Sequence, residues 1–385
     1  MRILHTVPGR NRGGLEQRAL DQVAWLAQYG HPVWLATPGN GVTAAKARAQ
    51  GLPLLPFDFD RPWRLSTLLA LRALVRGQGI ELIDAHYTRD AKAAMGCLDL
   101  CAVVRTRHVD QPLKGNLLRR LQWRRGTDHV IAVAASVRDG LLRSGLADPA
   151  RTSLIGEWAD ERFFAGENAG RRARVREELG LAEGQIVILC ASMLRLEKGQ
   201  DHLIRAFAEL AKAHPQARLV LAGAPTAESQ AYAESLPGLA RECGIANGVV
   251  FTGFRDDIPD LMEAADVIAI PSVIEAQSRV GAQALARGRP IVASAVGGLV
   301  EIVRDGETGL SVPPADPKAL AQALGRLIAE PGLAQRLARA GREFAERRLR
   351  FDARMAETLA VYEKALAHAR SRSYMRVATT QGAAR

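Results

Sequence analysis

Short β-branched runs alternate with longer helical stretches along almost the whole chain. That order constrains the fold more than any other feature. Parallel strands need a crossover element between them, so the alternation predicts parallel sheets with helices on both faces. In the first half the strand-like runs are "RILHTV", "PVWLAT", "LIDAH", "VVRTRH" and "HVIAVA", with helical stretches between them such as "LEQRALDQVAWLAQYG", closed by Gly30. In the second half they are "IVILCAS", "RLVLAG", "VVFTGF", "VIAIPS" and "PIVASA", separated by stretches such as "GQDHLIRAFAELAKAH". Two consecutive sets of similar size predict an α/β protein of two Rossmann-like domains facing each other across a cleft. Periodicity lapses at "GEWADERFFAGENAGRRARV", residues 156–175, which places the first domain at 1–165 and the second at 166–350. A last patterned helix, 352–370, is expected to return to the first domain, and 371–385 is expected to be disordered.

Charge is distributed unevenly. Residues 1–165 carry 23 Lys and Arg against 15 Asp and Glu, residues 166–346 carry 20 against 23, and residues 347–385 carry 9 against 3, within a net charge of +11. A basic first half points to an anionic surface or substrate on that side. With only 5% aromatic residues and no pattern of a nucleic-acid module, nucleic acid is not the expected partner. No apolar run reaches eighteen residues and the N-terminus lacks the features of a signal peptide, so the expected compartment is the cytoplasm. Cys97, Cys101, Cys190 and Cys243 form neither a disulfide framework nor a zinc set, and are read as reduced packing residues.

Candidate chemistry sits at the strand-to-helix turns, where ligands bind in open α/β folds. The first strand leads through "PGRNRGG" to a helix beginning near Leu15. Gly13 and Gly14 let backbone N–H groups approach an anion there, although such a turn is as often only a tight connection. After "IVILCAS", Arg195 and Lys198 stand three residues apart and are followed by Gly199. That spacing suits a diphosphate, with Arg as a fork and Lys as a point charge; two solvated surface cations are the plain alternative. Glu275 follows "VIAIPS". A carboxylate contacts phosphate poorly, so its expected partner is a sugar or ribose hydroxyl. The N–H groups of Gln277, Ser278 and Arg279, near the next helix start, are placed to hold an anionic or sugar oxygen. Gly297-Gly298, with Glu301 just inside the following helix, completes loops that offer cations, glycines and carboxylates, the equipment for a sugar nucleotide. His108 and His86 each end a strand of the first half, His86 reading as a satisfied structural residue, and His5 lies inside the first strand and reads as structural.

The segments "RLEKGQD" and "GFRDDIPDLMEAADVIAIPS", Glu275 with Gln283 eight residues on, and "GGLVEIVRDGETGLSVPPADPKALA" together resemble the retaining GT-B glycosyltransferases of family 4. The similarity covers the C-terminal half in the family's order and spacing. The N-terminal half matches more loosely through "GGLEQ", "DAH" at 84–86, "RTRH" at 105–108 and "IAVAASVRDGLL". The resemblance implies the GT-B fold and retaining, metal-independent transfer from a UDP- or GDP-sugar, with no cofactor beyond that substrate. It implies that Arg195 and Lys198 bind the donor diphosphate, Glu275 the sugar hydroxyls and Gln283 the ribose. Gly13 and Gly14 would approach the donor phosphate, Gly253 of "GFRDD" would join the donor site, and His108 would face the sugar near the reacting carbon. This sequence departs from the family at three places. Gln283 stands where the second Glu is usual, Ala276 and Ser278 replace glycines, and the hinge signature appears as Glu157-Trp158-Ala159-Asp160. Gln keeps hydrogen-bonding capacity without the charge, so retained activity with altered nucleotide affinity or choice is expected. A non-catalytic nucleotide-sugar-binding paralogue and a sugar-nucleotide epimerase of the same fold are the alternatives.

The acceptor is less legible. "LKGNLLRRLQWRRG", residues 113–126, joins Lys114, Arg119, Arg120, Arg124 and Arg125 with Leu117, Leu118, Leu121 and Trp123 and contains no acid. A basic surface helix and a membrane-surface contact both fit. With the basic first half and tail, the balance favours docking on an anionic inner leaflet, and with it a lipid-linked or lipopolysaccharide glycan acceptor.

Overall fold

A computed structural model describes residues 1–9, 13–111, 113 and 115–382, with side chains to residue 372. Two compact units emerge: Met1–Ile155 with Met355–Arg385, and Gly156–Arg354.

The first unit is built on seven parallel strands: β1 Ile3–Thr6, β2 Val33–Thr37, β3 Leu54–Pro56, β4 Leu82–Ala85, β5 Ala102–Arg107, β6 His129–Ala132 and β7 Thr152–Leu154. Their order is β3-β2-β1-β4-β5-β6-β7. The central strands are buried on both faces, which is why they read as continuous apolar runs. The two edge strands escape the sequence reading because three residues are too few to show a period. Pro56 is tolerated in β3 because an edge strand can do without one N–H.

The second unit holds six parallel strands: β8 Ile186–Ala191, β9 Ala217–Ala222, β10 Val249–Gly253, β11 Val267–Ile270, β12 Ile291–Ser294 and β13 Leu310–Val312. Their order is β10-β9-β8-β11-β12-β13. Residues 156–165, assigned from sequence to the first domain, pack here instead. Phe163 and Phe164 join the buried core, and Ala159 N donates to Leu349 O at 2.9 Å. Polar and Gly residues mask these two aromatics in the sequence, and burial of the aromatics decides where the segment belongs.

The last helix, Phe351–Gly382, returns to the first unit from Met355 onward. Met355, Tyr362 and Ala365 are fully buried, and His368 Nδ1 lies 2.8 Å from the buried carboxylate of Asp128, which Arg372 also contacts. The helix runs past the expected end at 370 and reaches Gly382. No Pro or Gly interrupts it before that residue. Residues 383–385 lie outside the described residues. Cys97, Cys101 and Cys190 are buried with free thiols, and burial pushes the Cys97 thiol up to about 12.

Candidate functional site

Parallel strands bring all their C-terminal ends to one edge, so the loops after β8, β10, β11 and β12 gather there. Arg195 and Lys198 lie in the loop between β8 and the helix Gln200–Ala213. Gly199 ends a tight turn at φ +67, and an added Cβ would meet Pro271 O at 2.2 Å. Only glycine lets this loop lie so close to the one after β11. The two are joined through Val273 N, which donates to Glu197 O at 2.9 Å. The result is a direct ion pair: Lys198 Nζ lies 2.6 Å from Glu275 Oε2, with side chains 19% and 12% exposed, and Ser272 Oγ donates to the same oxygen at 3.2 Å. Arg195 is held by Glu197 at 2.5 Å, a partner the sequence reading did not single out.

The loop carrying Glu275 is also fixed from the β12 side. Gly298 N donates to Ala276 O at 2.7 Å, and Gly297 packs against the Glu275 carbonyl. These glycines therefore shape the loop that carries Glu275 through backbone packing. Ser278 caps the helix Arg279–Ala286, its Oγ accepting from Gly281 N at 3.1 Å. The Gln277 side chain accepts from Glu157 N and packs against Gly156, while Arg279 lies 3.6 Å from the Glu157 carboxylate and over the Trp158 ring. The side chains of 277–279 thus fasten the segment 156–158 within this unit, which leaves their backbone as the part suited to a ligand. Gln283 is half-buried just over one turn into the same helix. Gly253 closes β10 at φ +69, and its carbonyl accepts from Gly223 N at 2.9 Å.

In the first unit, Gly13 caps the helix Gly14–Gln28, and its N–H donates to Glu16 Oε2 at 3.1 Å. Tyr87 Oη donates to the other oxygen of that carboxylate at 2.7 Å. A side chain of the helix's own first turn therefore occupies the place expected for an anion, while an added Cβ at Gly14 would meet open space. Residues 10–12 of this turn, and Lys114 of the basic stretch, lie outside the described residues. His108 sits just past β5, half-buried, with Nε2 3.0 Å from His86 Nδ1. His86 in turn meets His5 at 2.9 Å. Two histidines read separately as structural thus join the one assigned to the site. The local signal was present, since Asp84 and His86, and Thr106 and His108, are two residues apart. Their meeting with His5 required the strand register. Burial pushes His5 and His86 down to about 3, and raises the Asp90 carboxyl on the other side of this sheet to about 7.

Family models match both halves: "Glycosyltransferase Family 4" over residues 12–161 and "Glycosyl transferases group 1" over residues 171–344. A curated relative, the D-inositol 3-phosphate glycosyltransferase of Acidothermus cellulolyticus, is 36% identical over 242 residues, 61% of this chain. The match spans only 53% of that relative's own length. A glycosyltransferase from Rickettsia africae superposes with TM-score 0.87 at 18% identity, covering 95% of this chain and 98% of that one. HepE of Anabaena, solved with UDP and glucose, superposes with TM-score 0.82 at 25% identity, covering 94% and 99%.

Proposed function

The chain belongs to glycosyltransferase family 4, the group 1 glycosyl transferases, and from that premise we propose that it moves a sugar from a nucleotide-sugar donor to a hydroxyl acceptor with retention of configuration. The ion pair of Lys198 and Glu275 at the edge of the second sheet carries this reading. A donor entering there gives Lys198 and Arg195 a diphosphate to neutralise, and turns the Glu275 carboxylate towards sugar hydroxyls. Both cations stabilise the charge that develops on the leaving group, so the reading assigns no metal to the donor site. The leaving phosphate takes the acceptor proton, and His108 works at the sugar near the reacting carbon. Gln283 replaces a charged ribose contact with a neutral one, which weakens the nucleotide contact rather than removing it. HepE, bound to UDP and glucose in its structure, supports a nucleotide-sugar donor.

The acceptor is assigned to a lipid-linked or envelope glycan at an anionic membrane face on the cytoplasmic side. Support comes from the helix Leu117–Arg125, where Leu117 and Leu118 are 75% and 73% exposed among Arg119, Arg120, Arg124 and Arg125. The name of the curated relative points instead to a soluble inositol phosphate, which the basic first half would also attract.

The test is release of nucleoside diphosphate from a panel of UDP-, GDP- and ADP-sugars. Slow hydrolysis by the native chain, reduced at least about a hundredfold by Lys198→Ala and by Glu275→Ala, is the expected result. Absence of both binding and turnover across the panel would overturn the reading.

A further inference from the structure

Five polar side chains group on one face of β1, β4 and β5. His5 is in register with Asp84, and alternation along the chain adds His86 beside Asp84 and His108 beside Thr106. Tyr362 of the returning helix enters the same group. Its hydroxyl donates to Asp84 Oδ2 at 2.7 Å, while Thr106 Oγ1 donates to Oδ1 at 2.8 Å. From there a continuous line of ring nitrogens leads outward. Tyr362 Oη lies 3.5 Å from His5 Nε2, His5 Nδ1 lies 2.9 Å from His86 Nε2, and His86 Nδ1 lies 3.0 Å from His108 Nε2. The His5 and His86 rings stack with centroids 5.2 Å apart.

A neutral imidazole has one N–H and one lone pair, so each link dictates the next. Tyr362 directs its only proton to the carboxylate, so its oxygen accepts from His5 Nε2–H. His5 Nδ1 is then an acceptor, His86 Nε2–H must donate to it, and His86 Nδ1 must accept from His108 Nε2–H. A second observation gives the same answer. His86 Nε2 lies 3.9 Å from Asp84 Oδ2, where an N–H is attracted and a lone pair is repelled. Full burial keeps both inner rings neutral.

We propose that Tyr362 and Asp84 are positioning residues for His108: acting through His5 and His86, they hold its proton on Nε2, so that any hydrogen bond His108 makes through Nδ1 to a donor-sugar hydroxyl is one it accepts. The C-terminal helix thereby sets the acid–base character of a residue more than two hundred and fifty positions earlier in the chain. The functional half of this inference rests on the reading that His108 works at the donor sugar; the relay itself does not. The competing use of the same atoms is a metal site, since His5, Asp84 and His86 offer ligand atoms within 4.8 Å of one another. An ion there would take a lone pair from one ring nitrogen of each histidine, and every one of those nitrogens is used by the relay, so it would break the relay.

Histidine-selective nitrogen-15 labelling of the full chain tests this, because protonated and bare imidazole nitrogens resonate far apart. At neutral pH, His5, His86 and His108 are expected as Nε2–H tautomers, with the His108 signal assigned by its loss in His108→Gln. Tyr362→Phe and His86→Phe should each convert His108 to an averaged tautomer signal. They should also lower kcat for donor turnover roughly tenfold with little change in KM. Thr106→Val removes the other donor to Asp84 without touching the relay, and should leave the His108 signature unchanged; a purely structural role would not separate it from Tyr362→Phe. A pure Nε2–H signal for His108 in both relay variants, or joint shifts of His5 and His86 on adding Zn²⁺, would overturn the proposal. If no nucleotide sugar turns over, the tautomer signals still decide the relay, and the donor-site reading fails separately.

Discussion

Glu275 keeps its place through contacts on two sides, Lys198 Nζ and Ser272 Oγ at the carboxylate and Gly297 at the carbonyl. Gly297 has φ +48, and a Cβ there would fall 1.7 Å from Glu275 O. Neither the backbone angle nor the space suits another residue, and the obstructing atom is backbone that cannot rotate away. Gly297→Ala is therefore expected to cost about 1–3 kcal/mol, read as a lower thermal midpoint, and to raise the KM for the donor by displacing Glu275. A variant with native stability and native KM would separate this glycine from the placing of Glu275. Arg195 differs from Lys198 in that its partner, Glu197, is a close neighbour in its own loop. A diphosphate can draw the guanidinium away without disturbing the contact between loops.

The helix Leu117–Arg125 is fixed on one side and exposed on the other. Asn116 caps it by accepting from Arg119 N at 2.9 Å, and Trp123 is buried with the Arg105 guanidinium 4.8 Å over its ring. Leu117, Leu118 and Leu121 remain exposed beside arginines. No helix among the described residues is long and apolar enough to cross a membrane. Co-sedimentation with anionic vesicles at low salt is expected and should weaken as salt rises. Replacing Leu117 and Leu118 by Ser should reduce it by about tenfold or more, while neutral vesicles bind poorly. No binding to anionic vesicles at low ionic strength would leave the soluble inositol phosphate as the acceptor to test.

For the molecule as a whole, the buried titratable groups of the first unit make stability depend on pH. Burial pushes His5 and His86 down to about 3 and His129 to about 4, so between those values and 6.5 the unfolded chain binds more protons than the folded one. Their contribution is present above 6.5 and is lost as pH falls towards the folded values. Asp90 works in the opposite sense, because burial raises it to about 7; its contribution is present below its usual 3.8 and is lost as pH rises through about 7. Three histidines outweigh one carboxyl, so the urea midpoint should fall between pH 6.5 and 4, and fall more steeply in Asp90→Asn. A flat profile over that range would mean that these imidazoles are not held neutral.

Strand-length periodicity by itself determined that this chain forms two parallel α/β units, because local alternation encodes which side chains must leave water. It also placed Arg195, Lys198 and Glu275 in loops at strand ends, since parallel strands share one ligand-facing edge. Tertiary structure alone decided that Lys198 grips Glu275, that residues 156–165 join the second unit, and that His5, His86, His108 and Tyr362 form one line. Contacts such as that between Tyr362 and His5, 357 residues apart, depend on strand order, register and a returning helix. Those are set by the packing of whole cores, which no local period encodes.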